Sequence, residues 1–138
     1  MKKNRLCRMV TLGILFVLSG PVFAAQTPEK ILNAIVKIKA NVPKDAATAQ
    51  ILGTEREGNG VIIYKRCHIL TIGYLILEAE TIEVIKADGD PVKADFVAYD
   101  YQTGFGIIRA TEPLLIAPLK LGQSLRLKTG NPVLIAGF

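Results

Sequence analysis

Gly60–Ile76, GVIIYKRCHILTIGYLI, is the stretch whose reading decides the fold. Val61–Tyr64 is apolar and β-branched, a strand introduced by the turn signal Gly58-Asn59-Gly60. Lys65-Arg66 reads as a hairpin tip and Cys67–Ile72 as the returning strand. Ile69, Leu70 and Ile72 suit that strand to burial on both faces at its centre. Tyr74–Ala79 has the length of one helical turn.

Working outward, the same alternation recurs. Thr27-Pro28-Glu29 marks a short helix, with Thr27 available as cap and Pro28 at a position that needs no amide donor. Ile35-Val36-Lys37-Ile38-Lys39 alternates with period two, and Asn41–Glu57 is a polar loop with a strand-like middle. Thr81–Ile85 alternates again, Asp88-Gly89 is a tight hairpin turn, and Val92–Tyr99 and Phe105–Ala110 are further strands. Pro113 and Pro118 punctuate a loop before a last apolar run, Val133-Leu134-Ile135. Short strands with turn signals between them predict an all-β sandwich or barrel.

Three stretches carry a family resemblance. Beside Gly60–Ile76 stand Asp100–Arg109, DYQTGFGIIR, and Leu121-Gly122 followed by Leu127-Lys128-Thr129-Gly130-Asn131-Pro132-Val133-Leu134. In order and spacing they resemble trypsin-like serine proteases of the HtrA/Deg type, where the stretches look like GxVIxxxGYILTNNHVV, DxxTDLAVLK and LGxSxxLxxGxxVLAIG. The resemblance covers about Ala34 to Phe138. It implies a six-stranded antiparallel β-barrel, like the N-terminal half of the trypsin-like double barrel, over residues 25–138 after a leader and a short helix.

The same resemblance sets Tyr74 at the position of the catalytic histidine and Gly104 at that of the catalytic aspartate. Such catalysis needs a hydroxyl nucleophile, an imidazole to take its proton and a carboxylate to orient the imidazole. A phenol is a poor proton acceptor at neutral pH, and glycine has no side chain to orient anything. The sequence ends at Phe138, before a serine or an oxyanion hole of the second barrel appears. The expectation is therefore no catalytic residue, no cofactor and no metal site.

The first 24 residues read as a signal peptide: Lys2, Lys3, Arg5 and Arg8, then apolar Val10–Leu18, then Pro21 and Val22-Phe23-Ala24 before the cut. The apolar run is too short to span a bilayer. The expectations are a periplasmic or secreted protein and no stable membrane anchor after cleavage. Four of the 17 Lys and Arg leave with the leader, so 13 face 12 acids in the remaining 114 residues. Lys37, Lys39 and Lys65-Arg66 make no basic patch of the kind nucleic acid requires, and nucleic-acid binding is rejected.

Cys67 is then the single remaining cysteine, read as a small core residue, with an intermolecular disulfide as the alternative. His68, the one histidine, lies six residues before Tyr74 without neighbours at ligand spacing, and reads as a strand-edge residue. Asp100 suits a turn or cap, and Glu78, Glu80 and Glu83 suit a solvated surface. Three functions stay open: an exported inactive module binding protein or peptide, a gene remnant without function, or half of a serine endopeptidase completed by a second chain. For the first, a barrel face left without its usual cover predicts self-association or an exported partner.

Overall fold

The computed structural model describes residues 27–138, so the expected leader lies outside the described residues. Helix α1 (Pro28–Asn33) begins with proline as expected, although the Thr27 hydroxyl makes no capping bond. The chain continues through β1 (Ile35–Asn41), the short helix α2 (Ala49–Leu52), β2 (Glu55–Tyr64) and β3 (His68–Ile72). A 3₁₀ turn over Gly73–Leu75 leads to β4 (Thr81–Ile85), β5 (Pro91–Tyr99) and β6 (Phe105–Ala110). Among the described residues no helix is long and apolar enough to cross a membrane.

The six strands close into an antiparallel barrel in the order β1-β2-β3-β6-β5-β4, with β4 returning to β1. The ladder shifts register at Ile62/Tyr64 and at Phe96/Ala98, irregularities of the kind that bend a strand and raise its twist. Alternation fills the interior. Val36, Ile38, Ile62, Ile69, Val84 and Ile108 point inward and are fully buried, and Leu75 and Ile76 plug one end from the 3₁₀ turn. Full burial of each such aliphatic side chain is worth about 1.5–3 kcal/mol, so the stability resides in the barrel lumen.

Three local expectations are corrected. Gly58-Asn59-Gly60 is not a turn. It lies inside β2, with Gly60 paired to Val36 on one side and Thr71 on the other. Gly60 is needed for close approach, since a Cβ there would stand 2.6 Å from both Ile38 Cδ1 and Ile69 Cγ2. β3 is not buried on both faces: Ile69 and Thr71 are inside while Ile72 is exposed, the plain alternation of a barrel strand. Cys67 belongs to the hairpin tip rather than to β3, with φ 58°, and packs half-buried against the core while the Leu114 amide donates to its sulfur at 3.5 Å.

Lys37 and Lys39, on the outer face of β1, both pair with Glu57 across the ladder, at 2.6 and 3.1 Å. The two ammonium groups hold the Glu57 carboxyl below its ordinary value, the Lys37 hydrogen bond most strongly. Beyond Ala110 the chain runs along the outside of the barrel. Buried Leu114, a bond from the Leu119 amide to the Ile62 carbonyl (2.8 Å) and one from the Phe138 amide to Asn59 Oδ1 (2.9 Å) fasten it there. Val133, Leu134 and Ile135 are exposed on this segment and belong to no strand.

Candidate functional site

β3 delivers the chain to the 3₁₀ turn, and the turn is clamped from two sides. On one side the Gly73 amide donates to the Gly104 carbonyl at 2.7 Å. A Cβ at Gly73 would run into the Tyr99 ring and come within 3.1 Å of the Gly104 oxygen, so only glycine allows this approach. On the other side sits Arg56, 4% exposed. Its Nη1 donates to the carbonyls of Tyr74 (2.6 Å) and Leu77 (3.0 Å), its Nε to the Gly53 carbonyl (3.2 Å) and its Nη2 to Thr48 Oγ1 (2.7 Å). The planar guanidinium thus ties β2, the loop before it and the turn carrying Tyr74 into one unit.

Thr48 passes the connection on. Its hydroxyl donates to Glu78, and the Thr48 and Ala47 amides donate to the same carboxylate at 2.8 and 3.2 Å. These bonds, the Thr48 hydroxyl first, hold the Glu78 carboxyl below its ordinary value, and Arg56 adds a smaller pull. Glu78 itself has φ 59°, a conformation costing a non-glycine residue about 1–2 kcal/mol. The reading of Glu78 as plain solvated surface is refined accordingly: it is exposed, yet it fastens the 46–48 loop to the turn.

A pH effect follows from its sign. A depressed folded pKa gives stability that is present above the unfolded value near 4.5 and lost as pH falls through the folded one. Acidification below that range is expected to shift the Ala47 and Thr48 amide resonances together, a transition absent in Glu78→Gln. Persistence of the transition in that variant would assign it to another carboxylate.

Tyr74 and Gly104 are brought close by the Gly73–Gly104 bond. Tyr74 is 45% exposed, and Gly104 sits at φ 74° with open space where a side chain would begin. The loop carrying Gly104 is an Asp100-centred turn: Asp100 accepts from the Gln102 amide (2.9 Å) and the Thr103 hydroxyl (2.7 Å), and its carbonyl accepts from the Gly104 amide (2.8 Å). The Thr103 hydroxyl is the main reason the Asp100 carboxyl lies below its ordinary value. The turn role read from the sequence is the one Asp100 performs. His68 stands apart at the far end of β3, opposite Tyr64 and Arg109, half-buried, with its ring edge-on to Tyr64 at 5.8 Å. Among the described residues no group of three or more His, Cys, Asp or Glu could hold a metal.

Residues 58–138 match the family model of the trypsin-like peptidase domain. This chain belongs to the trypsin-like peptidase family. Two solved structures with the same fold are the HtrA-type protease AlgW with tripeptide, at 22% identity and TM-score 0.61, and a serine-to-alanine variant of it with tripeptide, at 20% and 0.62. Each likeness covers 74% of this chain and 30% of the other, so the chain spans about a third of those proteases' length. No curated protein sequence matches it.

Arg56 is the residue of this trypsin-like peptidase barrel that sequence reading passed over. Nothing in EREGNG distinguishes a buried arginine from a surface one, because its partners are carbonyls 18 and 21 residues away in the chain. Around Tyr74 the surface is apolar and aromatic. Ile72 and Phe105, register partners across β3 and β6, are both exposed, and the Tyr101 ring lies tilted against that of Tyr99 at 4.4 Å. Chemically, this place offers contact surface and backbone groups, with the Tyr74 phenol on the turn and the Asp100 carboxylate, already engaged by Gln102 and Thr103, in the loop of Gly104.

Proposed function

We propose that the chain is an exported, catalytically inactive trypsin-like module that acts by binding protein or peptide. One observation carries the reading. The turn and loop that bear the two catalytic positions in the resembling proteases are held together by the Gly73–Gly104 bond, while the positions themselves are Tyr74 and Gly104. The framework is kept and the proton-transfer groups are not. Without an imidazole and its orienting carboxylate, a serine supplied from any source lacks its general base. The exposed Ile72, Tyr74, Tyr101 and Phe105 supply instead a contact surface of the aromatic and aliphatic kind that recurs at interfaces.

Purified protein is expected to leave casein uncut and a fluorophosphonate probe unreacted. Tyr74→His with Gly104→Asp is expected to fold and to stay inactive: Tyr74 is exposed, a side chain at Gly104 meets nothing, and φ 74° there costs aspartate about 1–2 kcal/mol. Material recovered from the cell envelope is expected to begin at or near Ala25 and to bring a protein partner or a second copy with it. Turnover copurifying with a probe-labelled serine of this chain would overturn inactivity. A monomer without any envelope partner would remove the binding role and leave a remnant without function.

A further inference from the structure

Away from Tyr74, the tip of the β2–β3 hairpin and the segment that follows Leu114 enclose an open groove of about 730 Å³. Its lining is apolar at Ile63, Tyr64, Leu119 and Leu121 and cationic at Lys65, Arg66 and Lys120. None of these three cations takes part in an ion pair among the described residues. No acid lines the groove, and the sequence from Pro113 to Phe138 contains no Asp or Glu at all. Apolar side chains beside unopposed positive charge select an occupant that is both anionic and amphiphilic.

We propose that this groove is a peripheral docking site for the anionic phospholipid surface of a bilayer. Tyr64 and Leu121 are exposed by 58% and 75%, placed to enter the headgroup region where amphipathic aromatic rings settle. Lys65, Arg66 and Lys120 meet the lipid phosphates, each strengthening partition by about fivefold.

Other occupants fit less well. An extended peptide adds to an open strand edge, but β2 is bonded at Ile62 to Ala34 and Leu119 on one side and pairs with β3 on the other, leaving only Ile63 and Tyr64. A second copy offering its exposed 113–138 segment brings Lys120, Arg126 and Lys128 toward like charge. A free single-chain amphiphile needs most of its surface enclosed, and this groove is open along its length. A bilayer provides the missing cover itself.

The test is hydrogen exchange of the full chain with vesicles of mixed phosphatidylcholine and phosphatidylglycerol, against phosphatidylcholine alone. Reading exchange at residues 63–66 and 119–121 separates this site from any insertion by the N-terminal apolar run. Slower exchange there is expected with the mixed vesicles only. The variant Lys65→Gln/Arg66→Gln/Lys120→Gln is expected to lose affinity by about a hundredfold, whereas Lys30→Gln/Lys44→Gln/Lys93→Gln, with the same charge removed elsewhere, changes it by a few-fold at most. Raising salt from 0.1 to 1 M, which shortens the screening length from about 10 to 3 Å, should abolish the protection in the unaltered chain without any substitution. Absence of protection at these residues, or an equal loss in the two variants, overturns the proposal. Protection by a soluble acidic, leucine-rich peptide with none from vesicles assigns the groove to a protein partner instead.

Discussion

Arg56→Leu is expected to destabilise the domain by about 3–5 kcal/mol, enough to leave much of the chain unfolded at 37 °C. The guanidinium is 4% exposed and its four donor contacts go to three carbonyls and one hydroxyl. Leucine fills much of the volume but leaves the carbonyls of Gly53, Tyr74 and Leu77 without donors in a site largely closed to water. Each buried, unsatisfied acceptor costs about 1–3 kcal/mol. Arg56→Lys keeps the charge but not the planar fork, and is expected to recover about half the loss. Urea unfolding measures both. A leucine variant within 1 kcal/mol of the unaltered protein would mean that water reaches these carbonyls as the side chain leaves.

The contrast between Arg56 and the strands shows what was legible in the sequence. Strand identity follows from alternation, a local property, so β1, β4 and β6 stand where Ile35–Lys39, Thr81–Ile85 and Phe105–Ala110 placed them. Closure into a six-stranded barrel is not local, and came only through the likeness of three spaced stretches to a known family. Gly58-Asn59-Gly60 misled because glycine signals a turn by conformational freedom and a close contact by having no side chain. The same letters serve both, and Ile38 and Ile69, which decide the matter, are remote in sequence. Val133-Leu134-Ile135 shows the converse: an apolar run is legible, but what covers it is not.

At the candidate site, Tyr74 and Gly104 were found by alignment of motifs, and the clamps around them were not. Arg56 and the Thr48–Glu78 link fix the turn through backbone carbonyls and amides, which every sequence possesses. The bonds that fix this region are therefore independent of the catalytic side chains of the resembling proteases. A framework of that kind needs neither an imidazole at position 74 nor a carboxylate at position 104, because no side chain at either position is among its structural bonds.

Gly73→Ala tests that independence, with an expected loss of about 2–3 kcal/mol. For a domain of this size that is a fall of roughly 10 °C in melting temperature. The added methyl meets the edge of the Tyr99 ring and lies 3.1 Å from the Gly104 carbonyl, which already accepts the Gly73 amide. Moving Tyr99 aside gives up its contact with the Tyr101 ring, 4.4 Å away. Relief comes from that displacement or from parting of the turn and the Gly104 loop, which strains their hydrogen bond. Gly122→Ala, where a methyl meets nothing within 4 Å, is the neutral control. In a Tyr99→Ala background the cost of Gly73→Ala should fall by about 1 kcal/mol or more, a coupling that a general intolerance of alanine at position 73 does not produce. Equal costs in the two backgrounds would show that the ring is not the obstacle and would place the strain on the Gly104 carbonyl instead.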